Sequence, residues 1–142
     1  MMKIRGSFEQ AICIVILVGA SDSPIKSHEL SEKLDVSDSY LKKVTRQLVV
    51  ADLITSKASK LGGFILKKKL ENISLLDIFD AIEGKEQFVQ TTHLVEKVFD
   101  PSLKVEEIES QIINYLNDAE VQYRQKLREI TLDQIVQIAH SY

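Results

Sequence analysis

The stretch Ser27–Leu66, SHELSEKLDVSDSYLKKVTRQLVVADLITSKASKLGGFIL, decides the fold. Its first part predicts a short helix with Ser27 as the N-cap, because a serine hydroxyl accepts hydrogen bonds from the first N–H groups of a helix. The turn at residues 35–37 interrupts this helix, and Ser37 is placed to cap a second one. Two short helices joined by a tight turn indicate a helix-turn-helix. The residues of the second helix that we expect to face inward, at helical spacing, are Leu41, Val44 and Leu48.

Two short β-prone runs follow this motif. Residues 53–56 and 64–66 are separated by a segment that ends in Gly62-Gly63, which predicts a hairpin with a flexible tip. A helix-turn-helix followed by a hairpin is the winged variant of the motif. The predicted fold class is therefore mainly α with a small β wing, forming a winged helix-turn-helix DNA-binding domain at residues 1–84.

The charge of the chain is distributed unevenly. Residues 1–70 hold 12 Lys/Arg against 7 Asp/Glu, a net +5, whereas residues 71–142 hold 6 against 14, a net −8. A basic half that carries a helix-turn-helix is typical of a surface that binds phosphate. The acidic half would repel DNA, so we expect it to serve dimerisation or regulation.

The predicted DNA-binding residues occur in four places along the basic half. The N-terminal half of a recognition helix reaches base edges, and the flanking positions reach phosphates. Each role has an alternative without DNA contact: a solvated N-terminus, an ordinary N-cap at Ser27, and a half-buried Tyr40 among solvated lysines. The residues are Lys3 and Arg5 before the first helix, Ser27 and His28, then Ser37, Ser39, Tyr40, Lys42, Lys43 and Arg46, and finally Lys57, Ser59 and Lys60 in the wing.

The acidic half is predicted to hold a linker, a dimerisation helix and a terminal helix over residues 85–142. A capping box at residues 74–77 opens a helix that Gly84 closes, and residues 85–99 show no clear period. Asp100-Pro101 predicts a helix start that continues to about Ile130. Its apolar stripe has few partners in so small a chain, which favours pairing with a second copy. The predicted dimerisation residues are Ile108, Ile112, Leu116, Ala119, Tyr123 and Leu127.

Other chemistry has little support in the sequence. Cys13 lies in an apolar helix predicted over residues 8–20, where a buried and unreactive thiol is the common case. The histidines His28, His93 and His140 are widely spaced, so no metal site and no cofactor are predicted. No phosphate-binding loop, nucleophile elbow or zinc-protease motif is present, and we expect no enzyme. The run at residues 11–20 is too short to span a bilayer, and we expect a cytoplasmic protein.

Three blocks of sequence resemble the Rrf-type family of bacterial winged-helix transcription regulators, which includes the IscR-like, NsrR-like and CymR-like proteins. They are VSDSYL at residues 36–41, LGGFIL at 61–66 and ISLLDI at 73–78, which continues to AIEG at 81–84. The resemblance implies a homodimer that binds a double-stranded operator of two half-sites and usually represses nearby genes. It also places Ser39, Tyr40 and Lys42 at positions that the family uses on DNA.

The chain departs from the family pattern in two places. Many relatives hold an iron–sulfur cluster on three cysteines, whereas Lys85–Lys104 contains none, and such clusters need thiolate ligands. Ala58-Ser59 stands where many relatives carry an Arg-Gly pair in the wing, which leaves Lys57 and Lys60 to compensate. The signal is then a small-molecule or protein effector, or there is none. A winged-helix interaction module that has lost DNA binding is the alternative function.

An effector would be expected to bind at the segment 85–99, between the DNA-binding half and the long helix. The apolar residues of the segment 85–99 either line a pocket or belong to a dimer core, and the second interpretation is favoured. These residues are Phe88, Val89, Leu94, Val98 and Phe99.

Overall fold

The computed structural model describes residues 6–58, 60 and 62–140. Within these residues the chain forms six α-helices and a two-stranded antiparallel sheet, which confirms the predicted fold class. None of the helices in these residues combines the length and the apolar character that a membrane span requires. The helices are α1 Gly6–Ala20, α2 Ser27–Leu34, α3 Asp38–Val50, α4 Leu75–Glu83, α5 Val105–Arg128 and α6 Leu132–His140, and the strands are β1 Ile54–Lys57 and β2 Gly63–Leu66.

The described residues fall into two compact units. The first comprises those of Met1–Gly84 and Leu127–Tyr142, and the second is Lys85–Lys126. The predicted domain boundary placed the terminal helix with residues 85–142, whereas in the structure α6 belongs to the first unit. The reason is the side chain of Leu132, which is fully buried and therefore belongs to the core of the first unit.

The core of the first unit forms where α1 packs against α3 and α4. One face of α1 is buried, and its residues Phe8, Ala11, Ile14, Val15 and Val18 point into the unit. The ring of Phe8 meets that of Phe79 on α4 edge to face, with 5.6 Å between centroids. The apolar side chains on the rest of the helix are only half-buried, and they are Ile12, Cys13, Ile16 and Leu17.

The wing is the hairpin of β1 and β2. Ser56 pairs with Phe64, and Ile54 pairs with Leu66. Ile25, in the connection between α1 and α2, adds a bridge to Phe64: the Ile25 N–H donates to the Phe64 carbonyl at 3.2 Å, and the Phe64 N–H donates back at 2.7 Å. The base of the wing is therefore fastened to the segment that leads into α2.

Helix α4 has the predicted termini. The Ser74 hydroxyl accepts from the Asp77 N–H at 3.1 Å, and the Asp77 carboxylate accepts from the Ser74 N–H at 2.9 Å, which completes a capping box. Gly84 follows the last turn with a φ of 82°, a conformation that favours glycine.

The second unit contains one turn of 3₁₀ helix, Leu94–Lys97, and most of α5. The predicted helix start at Asp100-Pro101 was wrong, because α5 begins at Val105. The Asp100 carboxylate accepts instead from the Ser102 N–H at 2.8 Å, and the Asp100 carbonyl accepts from Leu103 N–H at 2.9 Å. These hydrogen bonds close a turn, and the one from the backbone of Ser102 lowers the pKa of Asp100.

Candidate nucleic-acid interface

Helix α3 carries the largest group of predicted DNA-binding residues. Ser37 is its N-cap, as predicted, and its hydroxyl accepts from the Tyr40 N–H at 3.3 Å. The predicted inner ridge is confirmed, because Leu41, Val44 and Leu48 are fully buried. The buried hydroxyl of Thr45 donates to the Leu41 carbonyl at 3.0 Å. The one polar side chain named on this inner face, that of Thr45, therefore has a hydrogen-bond partner.

The outer face of α3 is exposed and basic. Ser39, Lys42, Lys43 and Arg46 are all exposed, and Ser37 at the cap is exposed as well. These side chains stand on the face opposite to the buried ridge, because residues three or four apart share one side of a helix. The face offers hydroxyl and cationic donors of the kinds that pair with phosphates and base acceptors.

Tyr40 is divided between two environments. It is 40 % exposed, and it also lines a cavity of about 130 Å³ together with Lys43, Gln47 and Ile82. Two of these lining residues are joined by a hydrogen bond, because the Gln47 amide donates to the Ile82 carbonyl at 3.5 Å. Part of the tyrosine ring therefore packs against neighbouring side chains, as the alternative without DNA contact has it, and the rest is accessible to solvent.

The start of α2 differs from the prediction. The N-cap is Lys26, whose backbone is extended with φ −77° and ψ 153°, and Ser27 is the first helical residue. His28 is exposed in this first turn, and its carbonyl accepts from the Ser31 hydroxyl at 2.9 Å. Ser27 is half-buried, so its side chain is less accessible to DNA than that of His28.

The turn between α2 and α3 has the tight geometry of the motif. Asp35 has a φ of 52°, in the left-handed region, and its N–H donates to the Glu32 carbonyl at 3.3 Å. The Val36 N–H donates to the Ser31 carbonyl at 3.1 Å. These bonds satisfy the last carbonyls of α2 and set the direction of α3.

The wing adds cationic side chains to the same unit. Lys57 and Lys60 are exposed, and so are the three lysines at positions 67–69. The Lys67 ammonium lies 2.8 Å from a carboxylate oxygen of Asp52, so part of its charge is neutralised. The hydrogen bond from Lys67 lowers the pKa of Asp52, and the charges of Lys67 and Lys68 act in the same direction.

Three predicted DNA-binding residues lie outside the described part of the chain. They are Lys3 and Arg5 before α1 and Ser59 in the wing. Their roles stay predictions.

The predicted dimerisation residues all lie on α5, and none of the 24 residues of this helix is buried. Ile112 is 42 % and Leu116 43 % exposed, and Ala119 is exposed as well. The others are half-buried, and they are Ile108, Tyr123 and Leu127. This apolar stripe is accessible to another protein surface.

The apolar residues of the segment before α5 differ in their exposure. Phe88 is half-buried, with its ring edge to face with Tyr123 at 5.8 Å and the Arg124 guanidinium 5.3 Å from its centroid. Leu94 and Val98 are 60 % and 74 % exposed. A cavity of about 670 Å³ in this unit is lined by other residues: Glu96, Pro101, Leu103, Lys104, Val105, Glu106 and Glu107.

The second unit also gathers ligand-type side chains that the sequence did not bring together. One oxygen or nitrogen atom each of His93, Glu96 and Glu109 lies within 4.8 Å of the others, and His93 Nδ1 is 2.9 Å from Glu109 Oε1. The Thr91 hydroxyl donates to Glu109, and this bond lowers the pKa of the carboxyl; burial opposes the shift and His93 supports it. His93 and Glu96 are only three positions apart, a spacing that could have drawn attention to this cluster.

Nearly the whole chain matches a known protein family. A family model described as Rrf2, iron-dependent transcriptional regulator, matches residues 4–138. The chain belongs to the Rrf2 family. Rrf2 proteins are transcriptional regulators and not enzymes, in agreement with the expectation from the motifs.

Individual relatives are similar over most of this Rrf2 chain. It is 38 % identical over 101 residues to YwgB of Bacillus subtilis, a candidate HTH-type transcriptional regulator, over 70 % of this chain and 65 % of that protein. A candidate regulator of Lactococcus lactis, YffB, is 36 % identical over 97 residues, 67 % of this chain and 62 % of its own length. The chain thus spans slightly less than two thirds of these relatives.

Among solved structures, CymR (YrzC), the global cysteine regulator of B. subtilis, superposes with a TM-score of 0.70 at 20 % identity, covering 97 % of this chain and 98 % of CymR. This likeness shows that the Rrf2 chain has the winged helix-turn-helix fold with a long C-terminal helix.

Proposed function

We propose that this Rrf2 protein is a dimeric, sequence-specific DNA-binding transcriptional regulator that acts as a repressor without an iron–sulfur cluster. The observation that carries the proposal is α3, whose inner ridge is fully buried while its outer face is exposed and basic. The inner face fixes the helix in the unit, and the outer face is available to a major groove.

The outer face of α3 supplies two kinds of contact. Ser39 and Lys42, in its N-terminal half, would face the groove and donate to base acceptors such as those of guanine. Lys43 and Arg46 supply cations for phosphates, as does Lys57 in the wing. Ser37, Tyr40 and His28 add polar groups at the edges of this surface.

Dimerisation is supported by the accessible stripe of α5. Exposed apolar residues at helical spacing over 24 residues are more than a monomeric helix usually leaves in water. A second copy offers the same stripe, and two-fold pairing gives two α3 helices that match two half-sites. Repression follows the usual role in the family, in which an occupied operator blocks a promoter.

The absence of a cluster is supported by the donor set. Iron–sulfur clusters are held by thiolates, and Lys85–Lys104 contains no cysteine. The one thiol of the chain, Cys13, is half-buried on α1 in the first unit. These residues do not fit the group that the family pattern implies.

The proposal is tested by capturing sheared DNA from the source genome with purified protein at physiological salt. Wild-type protein is expected to retain a few promoter fragments that share an inverted repeat. Lys42→Glu/Lys43→Glu should abolish retention, because it reverses two charges on α3. Lys85→Glu/Lys97→Glu makes the same charge change in the second unit and should retain the fragments.

Either of two results would contradict the proposal. Equal retention by both double variants would remove α3 from the interface. Uniform or absent retention by the wild type would favour the alternative function, an interaction module that kept the fold and lost DNA binding.

A further inference from the structure

We propose that His93, Glu96 and Glu109 form a binding site for one divalent first-row transition-metal ion. The site lies in the second unit, and it joins the 3₁₀ turn Leu94–Lys97 and the residue that precedes it to the first turns of α5. None of the three residues is among those proposed to bind DNA.

The donor chemistry is that of a metal site. An imidazole nitrogen with two carboxylate oxygens is a mixed N/O set of the kind that Zn²⁺, Mn²⁺ and Fe²⁺ accept. The nitrogen donor disfavours Mg²⁺ and Ca²⁺, which prefer oxygen ligands alone. The set contains no thiolate, so neither an iron–sulfur cluster nor Cu(I) suits it.

The geometry needs only small side-chain movements. Metal–ligand bonds of about 2.1 Å place neighbouring donor atoms about 3 to 3.5 Å apart. His93 and Glu109 already meet at 2.9 Å, and the donor atoms of all three residues lie within 4.8 Å of one another. Glu96 is exposed and His93 has a side chain that is 64 % exposed, so both rotate at little cost. Three protein donors leave coordination positions for water.

Glu109 is the fixed member of the set. Its side chain is only 13 % exposed, and the Thr91 hydroxyl donates a hydrogen bond to it. A metal ligand whose orientation is set by a neighbouring hydrogen bond binds more tightly than a freely rotating one. The loop residues Thr91 and His93 are further held together, because the His93 N–H donates to the Thr91 hydroxyl at 3.1 Å.

The test is a titration of tag-free protein, first stripped with a chelator, with Zn²⁺ and with Co²⁺ in the absence of DNA. We expect one equivalent to bind per chain and the Co²⁺ complex to show the visible absorption of a mixed N/O site. His93→Asn and Glu109→Gln should each weaken binding at least tenfold. Asparagine suits the His93 backbone, whose φ is 60°, so that variant should fold normally.

Matched controls are His28→Asn, in the first unit, and Glu107→Gln, on α5 beside the site. Both should bind metal as the wild type does. A second measurement is thermal unfolding, in which Zn²⁺ should raise the midpoint of the wild type and not that of His93→Asn.

The proposal is overturned if the wild type binds no Zn²⁺ or Co²⁺. It is also overturned if His93→Asn binds as tightly as the wild type, or if Mg²⁺ saturates the site at the same concentrations. Because no DNA is present, these outcomes are independent of whether the chain recognises an operator.

Discussion

The N–H of Leu75 donates to the carbonyl of Ile130 at 2.8 Å, which joins the first residue of α4 to the segment between α5 and α6. A second bond, from the Leu132 N–H to the Ile73 carbonyl, measures 2.9 Å, and Ser74 and Thr131 form an antiparallel bridge between them. The last helix of the chain is therefore an integral part of the unit that carries α3.

This arrangement predicts that Leu132→Ala destabilises the first unit. Leu132 is fully buried, and truncation of a buried leucine costs about 2–5 kcal/mol through lost burial and the cavity left behind. Ile138→Ala, on the same helix at 61 % exposure, is the control and should change stability by less than about 0.5 kcal/mol. Urea unfolding followed by circular dichroism measures both. Equal effects would mean that α6 is not part of the core.

Gly63 is expected to tolerate no side chain. A Cβ there would lie 2.6 Å from the carbonyl carbon and oxygen of Ile25, and the φ of Gly63 is 151°. Gly63→Ala should cost on the order of 1–3 kcal/mol, because the backbone strain adds to the clash. Gly6→Ala is the control, since nothing lies within 4 Å of the added atom. A stable Gly63→Ala protein with an unchanged unfolding midpoint would refute the close approach of the wing to Ile25.

The Asp52–Lys67 pair makes stability depend on pH. Lys67 lowers the pKa of Asp52 below its ordinary value of 3.8, so the native state favours the ionised carboxylate. This contribution is present above the ordinary pKa and is lost as the pH falls through the lowered one. Asp52→Asn, which tolerates the φ of 61°, should lower stability at pH 7 and match the wild type at acidic pH. Unfolding midpoints from pH 2 to 7 measure the difference.

Asp22→Asn provides the matched control, because it removes one charge from an exposed loop. Its difference from the wild type should not follow the titration of Asp52. The pair makes no pH-dependent contribution if the Asp52→Asn difference is the same at every pH.

The accessible stripe of α5 predicts a change of oligomeric state on mutation. Ile112→Asp/Leu116→Asp places two charges where a second copy would pack, and the protein should elute as a monomer. Ser110→Asp/Asn114→Asp adds the same charges with the same spacing on another face of the helix and should remain dimeric. Light scattering coupled to size-exclusion chromatography distinguishes the two. Monomeric wild-type protein at micromolar concentration would count against the proposed dimer.

The basic face of α3 predicts a strong dependence of DNA affinity on salt. Affinity should fall by ~10³-fold or more between low and moderate salt, because bound phosphates release counterions. Lys43→Ala should reduce the slope of log affinity against log salt by about 1 per half-site. Lys97→Ala, in the second unit, should leave the slope unchanged. A slope that no α3 variant alters would place the phosphate contacts elsewhere.

The elements that the sequence predicted well are those set by local rules. The ridge of α3 follows from helical spacing alone, and the capping box at Ser74 follows from two side chains three positions apart. The start of α5 was misjudged because Asp100 closes a turn with Ser102, a use of aspartate that competes with N-capping.

Long-range relationships were not predictable in the same way. The burial of Leu132 depends on backbone hydrogen bonds to residues near Ile73, almost sixty positions earlier. The spacing of apolar residues in the sequence does not indicate that pairing. Glu109 meets His93 because a loop folds back within the second unit, so the three-residue cluster was missed although Glu96 was near His93 in sequence.

The two faces of α3 have a consequence for how such a regulator diverges. The residues that hold the helix in place, such as Leu41 and Leu48, differ from those presented outward at positions 39, 42, 43 and 46. Exposed substitutions change stability little. Under the proposed function, point mutations at these four positions after a gene duplication would redirect one copy to a different set of promoters while the fold of the unit is retained.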